Sequence, residues 1–319
     1  MTTQPSVRLY AGEEIARYGF GDDHPFGTDR FNAFWREFTK QGLQRRVQLC
    51  RPKRADQAAI ELFHTANYVA RVKTMSQTGS GYLDGGDTPC FPGAYQTTAY
   101  VVGSVLDAID HILQGSSRRA FLPIAGLHHA RRDAAAGFCI FNDCGIAIEA
   151  LRARHGIQRV AYVDIDAHHG DGVFYAFEED PELIFADLHE DGRYLYPGTG
   201  SQSETGKGAA KGSKLNIPMA PNADDQAFLS AWSRAEAFIE QAAPEFIILQ
   251  CGADSVAGDP LTHLGYSAEA HAHAAKSLVQ IAETHCKGRM LAVGGGGYNR
   301  DNLAHAWCNV VKSMIPKGE

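Results

Sequence analysis

Short apolar runs alternate with longer amphipathic stretches along most of the chain. Five runs, "RRAFLPIA" (118–125), "RVAYVDID" (159–166), "ELIFADLH" (182–189), "EFIILQCG" (245–252) and "GRMLAVGG" (288–295), are dominated by apolar residues and end in glycine or polar positions. Continuous apolar runs of this length predict strands covered on both faces. Between them, helical periodicity predicts helices over roughly 94–114, 142–155, 224–242, 267–286 and 300–314, with Asp224 and Ser267 as N-caps. Strands alternating with helices imply an α/β architecture, a mostly parallel sheet with helices on both faces. Ligands bind such sheets beyond the carboxyl ends of the strands. The polar clusters follow directly after predicted strands: His128 and His129, Asp166 and His168, Asp254, and Gly294–Tyr298. One edge of the sheet should therefore collect them.

Composition narrows the picture. The 319 residues are 44% hydrophobic, enough for one large α/β domain or two smaller ones. No internal repeat or linker is visible, so a single domain over 1–319 is expected. A net charge of -7 supplies no basic field for nucleic acid. No stretch approaches the ~18 consecutive apolar residues of a membrane span, and "MTTQPSVRLY" has no apolar signal core. The seven cysteines are scattered and contain no Cys-x-x-Cys pair. That pattern points to a reducing, cytoplasmic setting rather than to a disulfide scaffold or zinc finger.

The densest chemistry lies in "VDIDAHHGDG" (163–172). Alternate residues of an extended chain face the same side, so Asp164, Asp166 and His168 are expected to point together. A carboxylate and an imidazole can hold one divalent cation, and Asp254 in "LQCGADS" is the candidate third ligand. Three protein ligands leave a coordination position open for water. His169 is expected to point away and serve structure. In "GLHHARRDAAAGF" (126–138), His128 and His129 are candidates for proton transfer, each oriented by a carboxylate, with Asp164 and Asp171 to spare. If one imidazole is charged and the other neutral, the two can divide acid and base duties. In "GGGGYNRDN" (294–302) no Gly-Lys-Ser/Thr follows the glycines, so a phosphate loop is excluded. Tyr298 on that turn is a candidate hydrogen-bond donor to an oxyanion.

Assembled, these motifs resemble the histone deacetylase superfamily, which includes acetoin-utilisation proteins and acetylpolyamine amidohydrolases. The resemblance rests on "GLHHARRDAAAGFCIFND" (126–143), "YVDIDAHHGDGV" (162–173), "LYPGTG" (195–200), "LQCGADS" (249–255) and "GGGGY" (294–298). Upstream, "GFGDDHPF" (19–26), Arg30 and "GGDTPCFPGAY" (85–95) extend it across most of the chain. It implies the arginase/deacetylase fold, with one parallel sheet of about eight strands. It implies Asp166, His168 and Asp254 as ligands of Zn²⁺, with Fe²⁺, Mn²⁺ or Co²⁺ also compatible with this donor set. It implies His128 and His129 as the acid/base pair, Asp164 and Asp171 as their partners, and Tyr298 as the carbonyl-polarising tyrosine. Phe138, Gly137 and Tyr196 match an acyl tunnel, although Phe is common where Tyr196 stands. Asp87 matches a rim aspartate. Arg30 and Gly126 match the lining of an internal cavity. A structural K⁺ would involve Asp164, Asp166, His168, Leu188 and Asp187, the last often Ser in relatives.

The activity implied is metal-dependent removal of acetyl or short acyl groups from acylated primary amines. Acetyl-lysine and acetylpolyamines are both compatible substrates. Two other readings stand beside it, an inactive acetyl-group binder and an arginase-like ureohydrolase. The single Asp of "CGADS" and the tandem histidines disfavour the ureohydrolase, which needs a binuclear site. Oligomeric state stays open, with dimer and tetramer both compatible.

Overall fold

The computed structural model describes residues 6–21 and 23–316. Eight parallel strands form one sheet: β1 (Val7–Tyr10), β2 (Gln48–Cys50), β3 (Arg119–Leu122), β4 (Val160–Asp164), β5 (Leu183–Glu190), β6 (Lys214–Met219), β7 (Phe246–Gln250) and β8 (Met290–Val293). Their spatial order is β2-β1-β3-β8-β7-β4-β5-β6. Among the described residues, ten α-helices flank the sheet: α1 (Glu13–Ala16), α2 (Asp29–Lys40), α3 (Gln57–Ile60), α4 (Ala66–Thr78), α5 (Ala94–Leu113), α6 (Asp143–His155), α7 (Asp171–Ala176), α8 (Asp225–Ala242), α9 (Ala268–His285) and α10 (Arg300–Met314). One group packs α10 against α2 and α9, and α9 against α8; another packs α5 against α4 and α6. Every residue of β3, β4, β5, β7 and β8 is buried, which explains why apolar residues dominate them.

The five predicted strands and five predicted helices are all present, the strands trimmed at their ends. Asp224 accepts from the Ala227 amide and Ser267 from the Glu269 amide, so both form the expected N-caps. Three strands escaped the pattern. The edge strand β2 has three residues, and β1 carries Arg8 in its middle. The other edge strand, β6, begins at Lys214 and includes Pro218, a residue that edges tolerate. Lys214 is buried, and its ammonium donates to the carbonyls of Asp180 and Leu183. Burial lowers its pKa to about 8. Helices α1, α2, α3, α4 and α7 also lie outside the five expected ones, although in α2 Phe31, Phe34 and Phe38 form a stripe at helical spacing.

The middle of the sheet positions the chemistry. Strands β3, β8, β7 and β4 are consecutive neighbours, and their last residues lie in one row. Leu122 pairs with Val293, Gln250 with Val293, and Asp164 with Gln250. All the motif loops therefore leave the sheet side by side. Among the described residues, no helix is long and apolar enough to cross a membrane.

Candidate active site

The β4 loop does not continue as a strand past Asp164, as the run over 159–166 suggested. Its side chains converge through local turns instead. Asp164 Oδ1 accepts the Asp166 amide at 3.1 Å, and Asp166 Oδ1 accepts the His168 amide at 3.0 Å. Such Asx contacts hold alternate side chains on one side without a ladder partner. Asp254 arrives on the turn after β7, and its Oδ1 accepts the Ala167 amide at 2.9 Å.

Asp166, His168 and Asp254 are buried, and each presents a ligand atom within 4.8 Å of the others. His168 Nδ1 lies 3.1 Å from Asp166 Oδ1 and 3.0 Å from Asp254 Oδ2. Burial and the neighbouring Asp166 charge raise the Asp254 carboxyl. Two buried carboxylates this close call for a shared positive charge. Two oxygens and one imidazole nitrogen suit a divalent ion, so the donor set fits the implied metal. Glycine protects the arrangement: a Cβ on Gly296 would collide with Asp254 Oδ2, and one on Gly252 with Asp166 Oδ2. Among the described residues this is the one Asp/His/Cys/Glu cluster of this kind, so no second set of ligands for a binuclear centre adjoins it.

The tandem histidines sit beside this cluster on the loop after β3. His128 Nδ1 is 2.8 Å from Asp164 Oδ2, and His129 Nδ1 is 2.6 Å from Asp171 Oδ1. Asp171 is the first residue of α7, and Tyr162 also donates to Asp164 Oδ2 at 2.6 Å. Each carboxylate thus fixes a protonated Nδ1 and leaves Nε2 for chemistry. The two Nε2 atoms are 3.1 Å apart. Burial opposes charge on both rings, but Asp164 and Asp166 overcome it at His128 and raise its pKa. At His129 burial and the His128 charge act together, and the pKa falls. The surroundings thus favour charge on His128 and disfavour it on His129. His169 lies off the cluster, its Nδ1 2.8 Å from Thr199 Oγ1 and its ring against Phe174 and His189.

Tyr298 follows the glycine turn after β8. Its amide donates to Asp259 Oδ2 at 2.7 Å, while its hydroxyl makes no hydrogen bond within the described residues. Burial and the charges of Asp254 and Asp166 raise its pKa, which keeps it a neutral donor. The Phe138 ring meets that of Tyr298 edge-on at 6.0 Å between centroids. Phe138 adopts φ 66°, an uncommon conformation for a bulky residue. Its amide is held by Thr88 Oγ1 at 3.1 Å and its carbonyl by the Tyr18 hydroxyl at 2.7 Å. Tyr196 packs edge-on against His129 at 5.2 Å and is itself 45% exposed. Asp87 lies on the loop leading to Thr88 and shares a cavity with Tyr196. Beneath, Arg30 is fully buried and donates through Nε to Gly297 O and through Nη2 to Gly295 O, while Nη1 has no partner. Gly126 abuts Gly295, with φ 86°.

Next to Asp164 in the sheet register stands Asp187. Its carboxylate is already engaged: Oδ1 meets His189 Nδ1 at 2.7 Å and Oδ2 accepts the Gly170 amide at 2.9 Å. The extra negative charge relative to Ser is thus met internally.

Several positioning residues were not singled out in the sequence. Asp143 accepts the Gly126 and Leu127 amides, each at 2.8 Å. Asn142 donates to the carbonyls of His128 and Ala130. His64 Nε2 accepts the Asn142 amide at 2.8 Å, which requires a neutral ring, and burial lowers its pKa to about 3. Gln250 donates to Asp166 Oδ2 at 2.9 Å. The dipeptide Asn142-Asp143 before a helix is a readable cap signal, whereas Gln250 looks like an ordinary strand end.

Gly137 yields a sharp expectation. Its φ is 52°, and a Cβ there would lie 2.5 Å from the His129 ring. Gly137→Ala should lower kcat about 100-fold, since a displacement near 1 Å at a reacting group has that scale. Steady-state turnover alongside circular dichroism checks this, with a retained fold expected.

Comparison with known proteins places these features in context. Residues 24–314 match the histone deacetylase domain. The chain is 36% identical to the acetoin utilization protein AcuC of Bacillus subtilis (strain 168), covering 97% of this chain and 82% of that protein. It is 30% identical to the histone deacetylase RPD3 of Saccharomyces cerevisiae, covering 97% and 72% respectively. The crystal structure of the HDA15 HD domain superposes with a TM-score of 0.89 at 25% identity, over 97% of this chain and 89% of that one.

Proposed function

Because the chain belongs to the histone deacetylase family, and therefore has the arginase/deacetylase fold, we propose that it removes acetyl or short acyl groups from acylated primary amines. One observation carries this reading. Two tandem histidines, each with Nδ1 backed by a carboxylate, adjoin the Asp166–His168–Asp254 cluster, and the His168 ring lies 5.8 Å from that of His129.

Asp166, His168 and Asp254 would hold a divalent metal ion, Zn²⁺ foremost, with Fe²⁺, Mn²⁺ and Co²⁺ suited to the same donors. When bound, such an ion acts as a Lewis acid toward the amide carbonyl and makes water a stronger acid. Neutral His129 takes the proton of the attacking water at Nε2. It then returns that proton to the amine nitrogen as the C–N bond breaks, leaving acetate and a free amine. His128, held charged by Asp164, stabilises the negative charge that develops. Tyr298, a neutral donor, hydrogen-bonds the oxyanion. Phe138, Gly137 and Tyr196 enclose the aliphatic stem of the substrate, and Asp87 meets its outer end. Arg30 and Gly126 line the space beneath. A K⁺ ion beside Asp164, held also by the carbonyls of Asp166, His168 and Leu188, belongs to the same proposal, with Asp187 already balanced by His189. A cytoplasmic location and a single domain complete it.

Tyr298→Phe tests the oxyanion role. Removing such a donor costs on the order of 100- to 1000-fold in kcat. That loss is expected here with KM nearly unchanged, measured as acetate release from an acetyl-lysine peptide. Wild-type turnover in the variant would remove Tyr298 from the mechanism.

A further inference from the structure

The mouth of the tunnel opens into a cavity of about 450 Å³ that carries unmatched charges of both signs. Asp84 and Asp87 line it together with Arg131 and Tyr196, while Ala135 and Ala136 contribute only short side chains. The Arg131 guanidinium makes no hydrogen bond or ion pair among the described residues, and neither carboxylate has a cationic partner. The acidic loop and the backbone of Arg131 are nonetheless held in place. Asp84 Oδ1 accepts the amides of Gly86, Asp87 and Thr88 and so builds the loop that presents Asp87. Thr88 Oγ1 ties that loop to Phe138 of the tunnel wall and donates to Asp87 Oδ1. Arg131 follows His129 by two residues and is set by a turn, its amide donating to Ala134 O at 2.8 Å. The Tyr196 hydroxyl, also without a partner, feels Asp87 and Arg131 with opposite signs.

We propose that this mouth receives a zwitterion: a free α-amino acid whose side-chain amine carries the acyl group. Its α-carboxylate pairs with Arg131 and the Tyr196 hydroxyl, and its α-ammonium with Asp87. The inference rests on the deacylase reading above and names the substrate class of that same site. A residue inside a peptide has lost both α-charges and leaves Arg131 and Asp87 unpaired. An acylated polyamine brings positive charge alone, which Asp84 and Asp87 attract but which leaves Arg131 without a counter-charge.

The test uses metal-loaded enzyme and four substrates: free Nε-acetyl-L-lysine, its α-amide, its Nα-formyl derivative and acetylputrescine. Free Nε-acetyl-L-lysine should have the highest kcat/KM, about tenfold above each singly capped form, the scale of one charge-assisted hydrogen bond. Arg131→Gln should narrow the gap between the free amino acid and its α-amide, and Asp87→Asn the gap to the Nα-formyl form. Calorimetric titration of free Nε-acetyl-L-lysine into the Tyr298→Phe protein reads binding with turnover slowed about 100- to 1000-fold, and Arg131→Gln should weaken it about tenfold. Equal or better turnover of the capped forms, or an Arg131→Gln loss shared equally by all four substrates, overturns the zwitterion. If none of the four is hydrolysed by metal-loaded enzyme, the deacylase reading fails instead, and the titration alone decides whether the mouth binds a zwitterion.

Discussion

Alanine in place of His129 is expected to lower kcat by about 100- to 10,000-fold, the range for a positioned general acid/base. The geometry explains why His129 should weigh so heavily. Its Nδ1 is fixed by Asp171 at 2.6 Å, so the ring cannot rotate to bring another nitrogen to the substrate. Its pKa is lowered by burial and by the charged neighbour His128, so its Nε2 can accept a proton. His128 is held in the opposite state by Asp164 and Asp166 and is poorly placed to substitute as a base. His128→Ala should therefore also be slow, for a different reason, the loss of a fixed positive charge. Single-turnover measurements on both variants, with metal content verified, check the assignment. A His129→Ala enzyme within tenfold of wild type would transfer the proton role elsewhere.

His168→Ala is expected to abolish stoichiometric metal binding and, with it, turnover. Mutating a residue that only supports a metal ligand typically costs 10- to 100-fold in affinity, and a direct ligand should cost more. The variant leaves Asp166 and Asp254 buried and close, without the imidazole nitrogen that lies within 3.1 Å of both. Two carboxylates in that setting repel, and one is then expected to take up a proton rather than share a metal. Metal analysis after exhaustive dialysis, read beside acetate release, checks both halves of the prediction. Full metal occupancy in the variant would exclude His168 as a ligand.

The parts of this site that were legible in the sequence are those where a charged side chain directly follows an apolar run. Asp254 and the Asp164–His168 stretch stand out because nothing in a buried strand needs them. Their convergence was also legible, because ligands bind parallel sheets beyond the carboxyl ends of the strands, and β3, β8, β7 and β4 are indeed neighbours that end in one row. The alternation argument reached the right grouping by a partly wrong route, since β4 stops at Asp164 and Asx turns do the aligning. Edge strands β2 and β6 were hidden because one is too short and the other is interrupted by Lys214, Asn216 and Pro218. Asp143, Asn142, His64 and Gln250 were hidden for a different reason. They act mostly on backbone amides and carbonyls brought from far along the chain, and no spacing rule encodes those partners. The pairing of Asp87 with Arg131 was hidden in the same way, since they lie 44 positions apart in the sequence and share one cavity.

Metal-dependent acyl-amide hydrolysis is the claim on which the rest depends. Acetate release should be followed from an acetyl-lysine peptide, free Nε-acetyl-L-lysine and acetylputrescine, first with chelator-treated protein and then after reloading with Zn²⁺, Fe²⁺ or Co²⁺. The predicted result is no turnover by the stripped protein and recovery on at least one substrate with a stoichiometric divalent ion. Turnover that survives metal removal, or no hydrolysis of any acyl amide with any of the three ions bound, would contradict it.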